Sequence, residues 1–468
     1  MLGLTRTLRP AVLLAALLAV LSVASGLLPV AAPASAAAPT TLGLSAPGRY
    51  GQQSTTLTVT LRSSGTAVPG AEIALERFNG SLWVPLAPVV TDASGSATVT
   101  LAVSRNPAAN LVRATYAGDP EHDPAKATYR LPLRLQPTTT TLTGPDRVVD
   151  EQSIRMRITW RTTSGDPVAG RVSLQRRSGD QWHHVRTLVT GETGVVTFDL
   201  VARSDSRWRA LSLGTAWAAK SVSAVHEIDN LPAGVPVRLP SAAPRLRVGL
   251  PPQPRATLPG AAPRISAIPD AVWRGMVGRS WHRGCPVGRS GLRLLRINYW
   301  DYTGYRRQGE VVAAASVVRQ IAAALTDVYR AKLPIRSMYR VDRFGWSSRL
   351  QGANDYASMA AGNTSAFNCR WVVGRPGVRS PHSYGRSLDI NPWENPYRSR
   401  QGWTPNNWWP GHSHARVAWR SRTHVMVRTM AGRGLRWTYG TSDSHHFDAV
   451  PRGSRPIIPP GCEDVVCH

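Results

Sequence analysis

Lysine is nearly missing from this chain of 468 residues: three lysines stand against 53 arginines. Acidic side chains are scarce too, 28 against 56 basic ones, for a formal net charge of +28 and a pI near 11.3. Such a surplus favours acidic partners: nucleic acid, anionic lipid, or phosphate-rich envelope polymers. An arginine bias with abundant Ala, Gly and Pro also arises from a GC-rich genome, so composition does not separate genome bias from anion affinity. Long apolar runs are missing beyond the N-terminus, which leaves no other stretch able to span a bilayer. Cysteine is confined to the C-terminal part, at Cys285, Cys369, Cys462 and Cys467. No pair has CxxC spacing, which argues against a cysteine zinc site. There is no recognised DNA- or RNA-binding motif, so a nucleic-acid partner is not expected despite the charge. Hydrophobic residues at 42% and charged residues at 18% allow packed cores. The length suggests about three domains.

The N-terminus reads as an export signal. Arg6 and Arg9 precede an apolar run from Ala11 to about Leu28, and Ala34-Ser35-Ala36 offers a small-residue cleavage site. The expected product, after removal of residues 1–36, is secreted, with no membrane span. In an exported chain an even cysteine count suggests disulfides. Three pairings are open; Cys462 with Cys467 would close a small terminal loop and leave Cys285 with Cys369.

Two segments repeat at an offset of about one hundred residues. Gly65, Val68-Pro69-Gly70, Ile73, Leu75, Trp83 and Gly95 recur as Gly165, Val168-Ala169-Gly170, Val172, Leu174, Trp182 and Gly194. Within each copy apolar residues alternate with polar ones, as in Leu57, Val59 and Leu61 or Val196, Phe198 and Leu200, which predicts half-buried strands. Turn residues such as Asp92-Ala93-Ser94-Gly95 separate the runs, so each copy predicts a β-sandwich, over 38–136 and 137–230. The copies resemble bacterial immunoglobulin-like repeats. Neither holds a catalytic cluster; His183 and His184 lack neighbouring ligands. Residues 231–269 turn rich in Pro, Ala, Arg and Gly, the composition of an extended linker. Beyond it, 270–468 predicts an α+β domain. Val317, Ile321, Leu325 and Val328 carry a helix over Ala313 to Lys332, stopped by Pro334. A second helix is expected from about Arg416 to Ala431.

Chemistry concentrates in two stretches, Ser380-Pro381-His382-Ser383-Tyr384-Gly385-Arg386-Ser387-Leu388-Asp389 and Asp443-Ser444-His445-His446-Phe447-Asp448. Two His and one acid, His382, Asp389 and His446, suit zinc with one position left for water. Gly385 permits the sharp turn that brings a loop ligand to a strand ligand, and His446 would come from an adjacent strand. Asp443 can reach the activated water without binding the metal, as general base. Arg370, just ahead of the first stretch and beside Cys369, is the cation for a developing oxyanion or a substrate carboxylate. His412, His414 and His424 are expected on the surface or on a helix. The stretch Trp403 to Trp409 is expected as a partly exposed flap.

The paired patterns SxHxxGxAxD and DxxHF resemble the D-alanyl-D-alanine carboxypeptidase family of zinc peptidases, the VanY-like group that also holds L-alanyl-D-glutamate endopeptidases. Ser387 stands where the family usually has Ala, and His445 where it usually has a non-ligand residue. Asn298-Tyr299-Trp300, Asn363 to Arg370 and Asn391-Pro392 with Asn395-Pro396-Tyr397 extend the resemblance over about Gly284 to Asp448. It implies zinc on His382, Asp389 and His446, Asp443 as base, and Arg370 and Ser380 at the substrate. Asp448 is expected behind the ligands.

The sequence therefore predicts a multidomain, cell-wall-associated protein: two immunoglobulin-like sandwiches, a Pro-rich linker and a C-terminal zinc peptidase domain acting on peptidoglycan peptides. Anionic wall polymers are a second candidate partner. An L-Ala-D-Glu endopeptidase and an inactive wall-binding protein are the competing readings. The intact set of site residues argues against the latter.

Overall fold

The computed structural model describes residues 36–450 apart from 374 and 400, together with 455 and 458. The signal segment up to residue 35 and Cys462, Cys467 and His468 lie outside the described residues. The protein is mostly β-sheet with few helices, in two compact units, 1–135 and 136–468.

In the first unit, the strand Ser54–Ser63 pairs antiparallel with Thr40–Ser45 and Ser96–Ala102. A second sheet joins Glu72–Phe78 to Leu111–Tyr116 and Ala125–Arg130. Alternation dictates the inward face: Leu57, Val59 and Leu61 are buried, between Thr58 and Thr60, and meet Ile73, Leu75, Val112 and Ala114 of the other sheet in one core. Each such side chain contributes about 1.5–3 kcal/mol on burial.

The second unit begins with a similar pair of sheets. Thr138–Thr143, Ile154–Thr162 and Val195–Leu200 form one. Gly170–Ser178 anchors the other, between Gln181–Thr190 and Ser206–Ser212, with His226–Leu231 beyond. Met156, Ile158 and Trp160 share a core with Val172, Leu174 and Trp208.

The Pro-rich segment does not stand free. Its Gln253 is buried; its amide donates to the Met338 carbonyl and its Oε1 accepts from Met338 N and Tyr299 Oη. Arg264–Ser266 pairs antiparallel with the strand Leu292–Trp300, so the C-terminal sheet begins inside the expected linker. Proline removes donors from the backbone, but it leaves the carbonyls and neighbouring side chains able to dock. A buried arginine closes the seam between the second pair of sheets and the C-terminal region. Arg306 is fully buried and holds Asp150 with two bonds of 2.7 and 2.8 Å, and Glu151 at 3.1 Å.

The C-terminal core forms around the hairpin Leu292–Trp300 and Arg306–Ala314, covered by the helix Val318–Arg330. That helix starts later than the expected Ala313 because Ala313 and Ala314 pair with Arg293 and Leu292. The second helix is shorter still, Val425–Ala431. His424 caps its start by accepting from Met426 N, and a bridge between His414 and Ala418 takes the preceding residues out of the helix. Met426, Val427 and Met430 reach the same core as Phe447 and Leu388.

Candidate metal centre

Three local structures build the site. The first is a 3-10 turn, Pro381–Tyr384, ended by Gly385 with φ +67°. A Cβ at Gly385 would lie 2.7 Å from the Ala314 amide nitrogen, so both conformation and contact require glycine. The second is the strand Ser387–Asp389. The third, His446–Ala449, pairs with it so that Asp389 faces His446 in register.

His382, Asp389 and His446 converge, all of them buried. His382 Nε2 is 3.1 Å from His446 Nδ1 and 3.2 Å from Asp389 Oδ2, and His446 Nδ1 is 3.2 Å from Asp389 Oδ1. A tetrahedral centre with bonds of about 2.0–2.1 Å spaces its ligands about 3.3 Å apart, so this triangle fits zinc. Each imidazole is oriented from behind. His382 Nδ1 donates to the Ala366 carbonyl at 2.7 Å, which assigns the tautomer and leaves Nε2 facing the centre. His446 Nε2 lies 3.0 Å from Asp448 Oδ1. Asp448 in turn accepts from Ser387 Oγ at 2.7 Å and Thr438 Oγ1 at 2.5 Å. The Ser at 387, where the resemblant family has Ala, thus holds the carboxylate that holds His446. Burial opposes charge on His446, but the Asp448 and Asp389 carboxylates outweigh it and keep the imidazole well above its ordinary range. Burial pushes the Asp448 carboxyl up; His446, Thr438 and Ser387 together bring it below the ordinary range.

Asp443 follows the turn Gly440–Ser442 and is fully buried. Its Oδ1 is 3.2 Å from His445 Nε2, which is itself 3.8 Å from Asp389 Oδ2. The indoles of Trp419 and Trp437 both donate to the Ser444 carbonyl, at 2.5 and 2.9 Å, and fix the backbone between Asp443 and His446. His445 is turned inward as well, with Nδ1 2.6 Å from the Asn395 carbonyl.

Residues 373–449 match the family model for D-alanyl-D-alanine carboxypeptidase. The match spans His382, Asp389, Asp443 and His446 and supports a peptidase in the C-terminal region. No curated protein matches the chain. Among solved structures, a tetra-tandem repeat from the extending region of a large adhesion protein is 14% identical over 59% of this chain and 74% of its own, with a TM-score of 0.28. A DUF4785 family protein of Legionella pneumophila is 10% identical over 39% of this chain and 54% of its own, with a TM-score of 0.22. The alpha-2-macroglobulin of E. coli is 11% identical over 56% of this chain and 18% of its own, with a TM-score of 0.20.

Arg370 lies just outside the matched span and is fully buried. Its Nη2 pairs with Asp355 at 2.8 Å, and its backbone is tied to the metal turn through Ser383 Oγ and Ser380 N. Cys285 and Cys369 form a disulfide beside it. Ser380 is buried too, with its hydroxyl accepting from His382 N at 3.4 Å as the cap of the metal turn. Sequence reasoning passed over Asp355, and it gave no role to Tyr397. That ring lies edge-on to His445 at 5.9 Å; burial raises its hydroxyl pKa, helped by Tyr356, Asp355 and Asp443 and opposed by Arg370. The flap reading of 403–409 fails at Trp409, which is fully buried against Trp393 and Ala418; Trp403 and Trp408 are half-buried. His412 is exposed and stacks on Trp408, while His424 is half-buried at its helix start.

Proposed function

We propose that the protein is a secreted zinc peptidase that hydrolyses peptide bonds of peptidoglycan, of the D-Ala-D-Ala carboxypeptidase type. The observation that carries the reading is the triangle of His382, Asp389 and His446 donor atoms at 3.1–3.2 Å. His382, Asp389 and His446 would hold a zinc ion, whose chemistry there would be to polarise a scissile carbonyl and lower the pKa of water toward neutrality. The Asp443 carboxylate takes the proton from the attacking water and returns it to the leaving amine. His445 and the anchored Ser444 carbonyl hold Asp443 in place for both transfers. The Arg370 guanidinium, oriented by Asp355, offers positive charge to the developing oxyanion or to the terminal carboxylate of the substrate. Ser380 caps the turn that carries His382 and is the second residue assigned to the substrate.

The paired-sheet regions fit immunoglobulin-like modules that hold or space the enzyme in the wall. Among the described residues no helix is long and apolar enough to cross a membrane. The Cys285–Cys369 disulfide suits an oxidising compartment.

The test is mass spectrometry of purified peptidoglycan after incubation with the mature chain, beside Asp443→Ala and a chelator-treated sample. Loss of a terminal D-Ala only with intact, metal-loaded protein is expected. No new fragment from a folded, zinc-containing chain overturns the peptidase reading.

A further inference from the structure

An arginine bias of genomic origin spreads over a whole surface, and its charges are balanced wherever acids stand near. The second pair of sheets shows that balance: Arg147, Arg177 and Arg207 pair with Asp229, Asp180 and Glu227. One face of the C-terminal region departs from it. Residues 279–291, 343–354 and 370–379 contain no Asp or Glu. The three segments are stitched together. Cys285 is bonded to Cys369, His282 Nε2 lies 3.0 Å from the Gln351 carbonyl and 3.1 Å from that of Cys369, and Trp371 N donates to the Leu350 carbonyl. Gly352 packs so closely on the last segment that a Cβ there would sit 2.6 Å from Arg370 Cβ.

The acids that flank this face are each taken by another arginine: Asp270 by Arg289, Asp342 by Arg340 and Asp355 by Arg370. Among the described residues Arg279, Arg283, Arg343, Arg349 and Arg379 form no ion pair. Several are pre-oriented without losing charge. Arg343 lies over the Tyr339 ring at 5.0 Å, Arg349 over Tyr356 at 5.7 Å, and Arg379 donates to the Gly284 carbonyl at 3.2 Å. Amid them stands Trp346, 41% exposed, the one Phe, Tyr or Trp in the exposed class among the described residues. His282 supports it edge-on at 5.7 Å.

Resting on the wall-peptidase reading above, we propose that this face binds a phosphodiester-linked polymer of the cell wall. The planar guanidinium fork matches phosphate oxygens two at a time. The indole offers a flat apolar surface for the CH face of a sugar or polyol between phosphates. An uncharged glycan would leave the guanidiniums without partners. A single-stranded nucleic acid is expected to need several exposed rings for successive bases, whereas Trp281, Phe344 and Trp371 of these segments are half-buried and Trp346 alone is exposed. The patch lies on the segments that carry Arg370 and Cys369, so polymer capture holds the metal centre against the wall.

The test is co-sedimentation of the full mature chain with purified Gram-positive walls at 0.15 M salt, before and after cold hydrofluoric acid has stripped the phosphodiester polymer. Wild type, Trp346→Ala and Arg343→Gln/Arg349→Gln are compared, with duplex DNA as a separate arm. Stripping is expected to weaken retention of wild type about tenfold, and the double variant to show a similar loss on intact walls, with a log–log salt slope shallower by about two. Trp346→Ala is expected to lose severalfold, and all three proteins to cleave soluble wall peptide alike. Equal retention on stripped walls, or variants that sediment like wild type, overturns the proposal. So does DNA binding as tight as wall binding with the same loss in the variants, which would mark a general polyanion surface.

Discussion

Replacing Arg306 by Met removes one half of an ion pair that water cannot reach. Asp150 is left buried with both oxygens facing an apolar chain, where the guanidinium had given two short bonds. Breaking a buried pair in this way costs about 3–5 kcal/mol. With a urea m-value of about 3 kcal/mol/M for a unit of this size, the midpoint should fall by about 1–1.7 M. Hydrogen exchange read by mass spectrometry on the full chain shows where the loss falls. Because Arg306 also binds the Leu258 carbonyl at 2.8 Å and faces Glu151, protection should drop together in Gly170–Ser178 and in Leu292–Trp300. The double replacement Asp150→Leu/Arg306→Met should recover most of the loss, since no orphaned charge remains. A midpoint within about 0.3 M of wild type for Arg306→Met, or loss of protection on one side alone, would refute the reasoning.

Asp448→Asn keeps the shape behind His446 but removes the negative charge, and zinc affinity by chelator competition should fall about 10–100-fold; unchanged affinity would deny Asp448 its orienting role. Replacing Cys285 and Cys369 by Ser opens a loop with a sequence separation of 84. The cost should reach about 4 kcal/mol, seen as a lower thermal midpoint and as lost hydrolysis from the loosened Arg370 segment; a variant as stable and active as wild type would show that the bond does neither. In the first unit, Tyr116 Oη donates to Asp119 at 2.6 Å, and with His122 it holds that carboxyl at about 2. A depressed pKa stabilises the folded state above the ordinary carboxylate value and ceases to do so as pH falls through about 2. Asp119→Asn should therefore speed hydrogen exchange of Leu111–Tyr116 relative to wild type at pH 5, with the difference gone near pH 2. A difference that persists there would contradict the assignment.

The convergence of His382, Asp389 and His446 was legible because its parts are local. Gly385 marked the turn, and alternation in Ser387-Leu388-Asp389 and His446-Phe447 put the polar ligands on one face and Leu388 and Phe447 in the core. The inward faces of the paired sheets were legible by the same alternation. The Arg370–Asp355 pair was not, because a residue that opens the short helix Asp355–Ala360 and one in a later loop carry no spacing signal until the chain at Gly352 packs against Arg370. Helix ends were misjudged where tertiary pairing overrode an Ala-rich pattern, at Ala313 and Ala314, and where His424 capped late. The Pro-rich segment misled most: composition reports stiffness and missing donors, and says nothing of Gln253, whose one amide fills three hydrogen-bonding needs of the neighbouring core.

That segment changes what counts as a transplantable part. A cut placed at residue 270, where composition changes, would carry away the edge strand Arg264–Ser266, Gln253 and the partners of Arg306. A cut that spares these contacts falls instead at Gln136, where the second compact unit begins. Arg306 with Asp150, and Arg264–Ser266 with the strand Leu292–Trp300, thus make the second pair of sheets and the candidate site one inheritance unit.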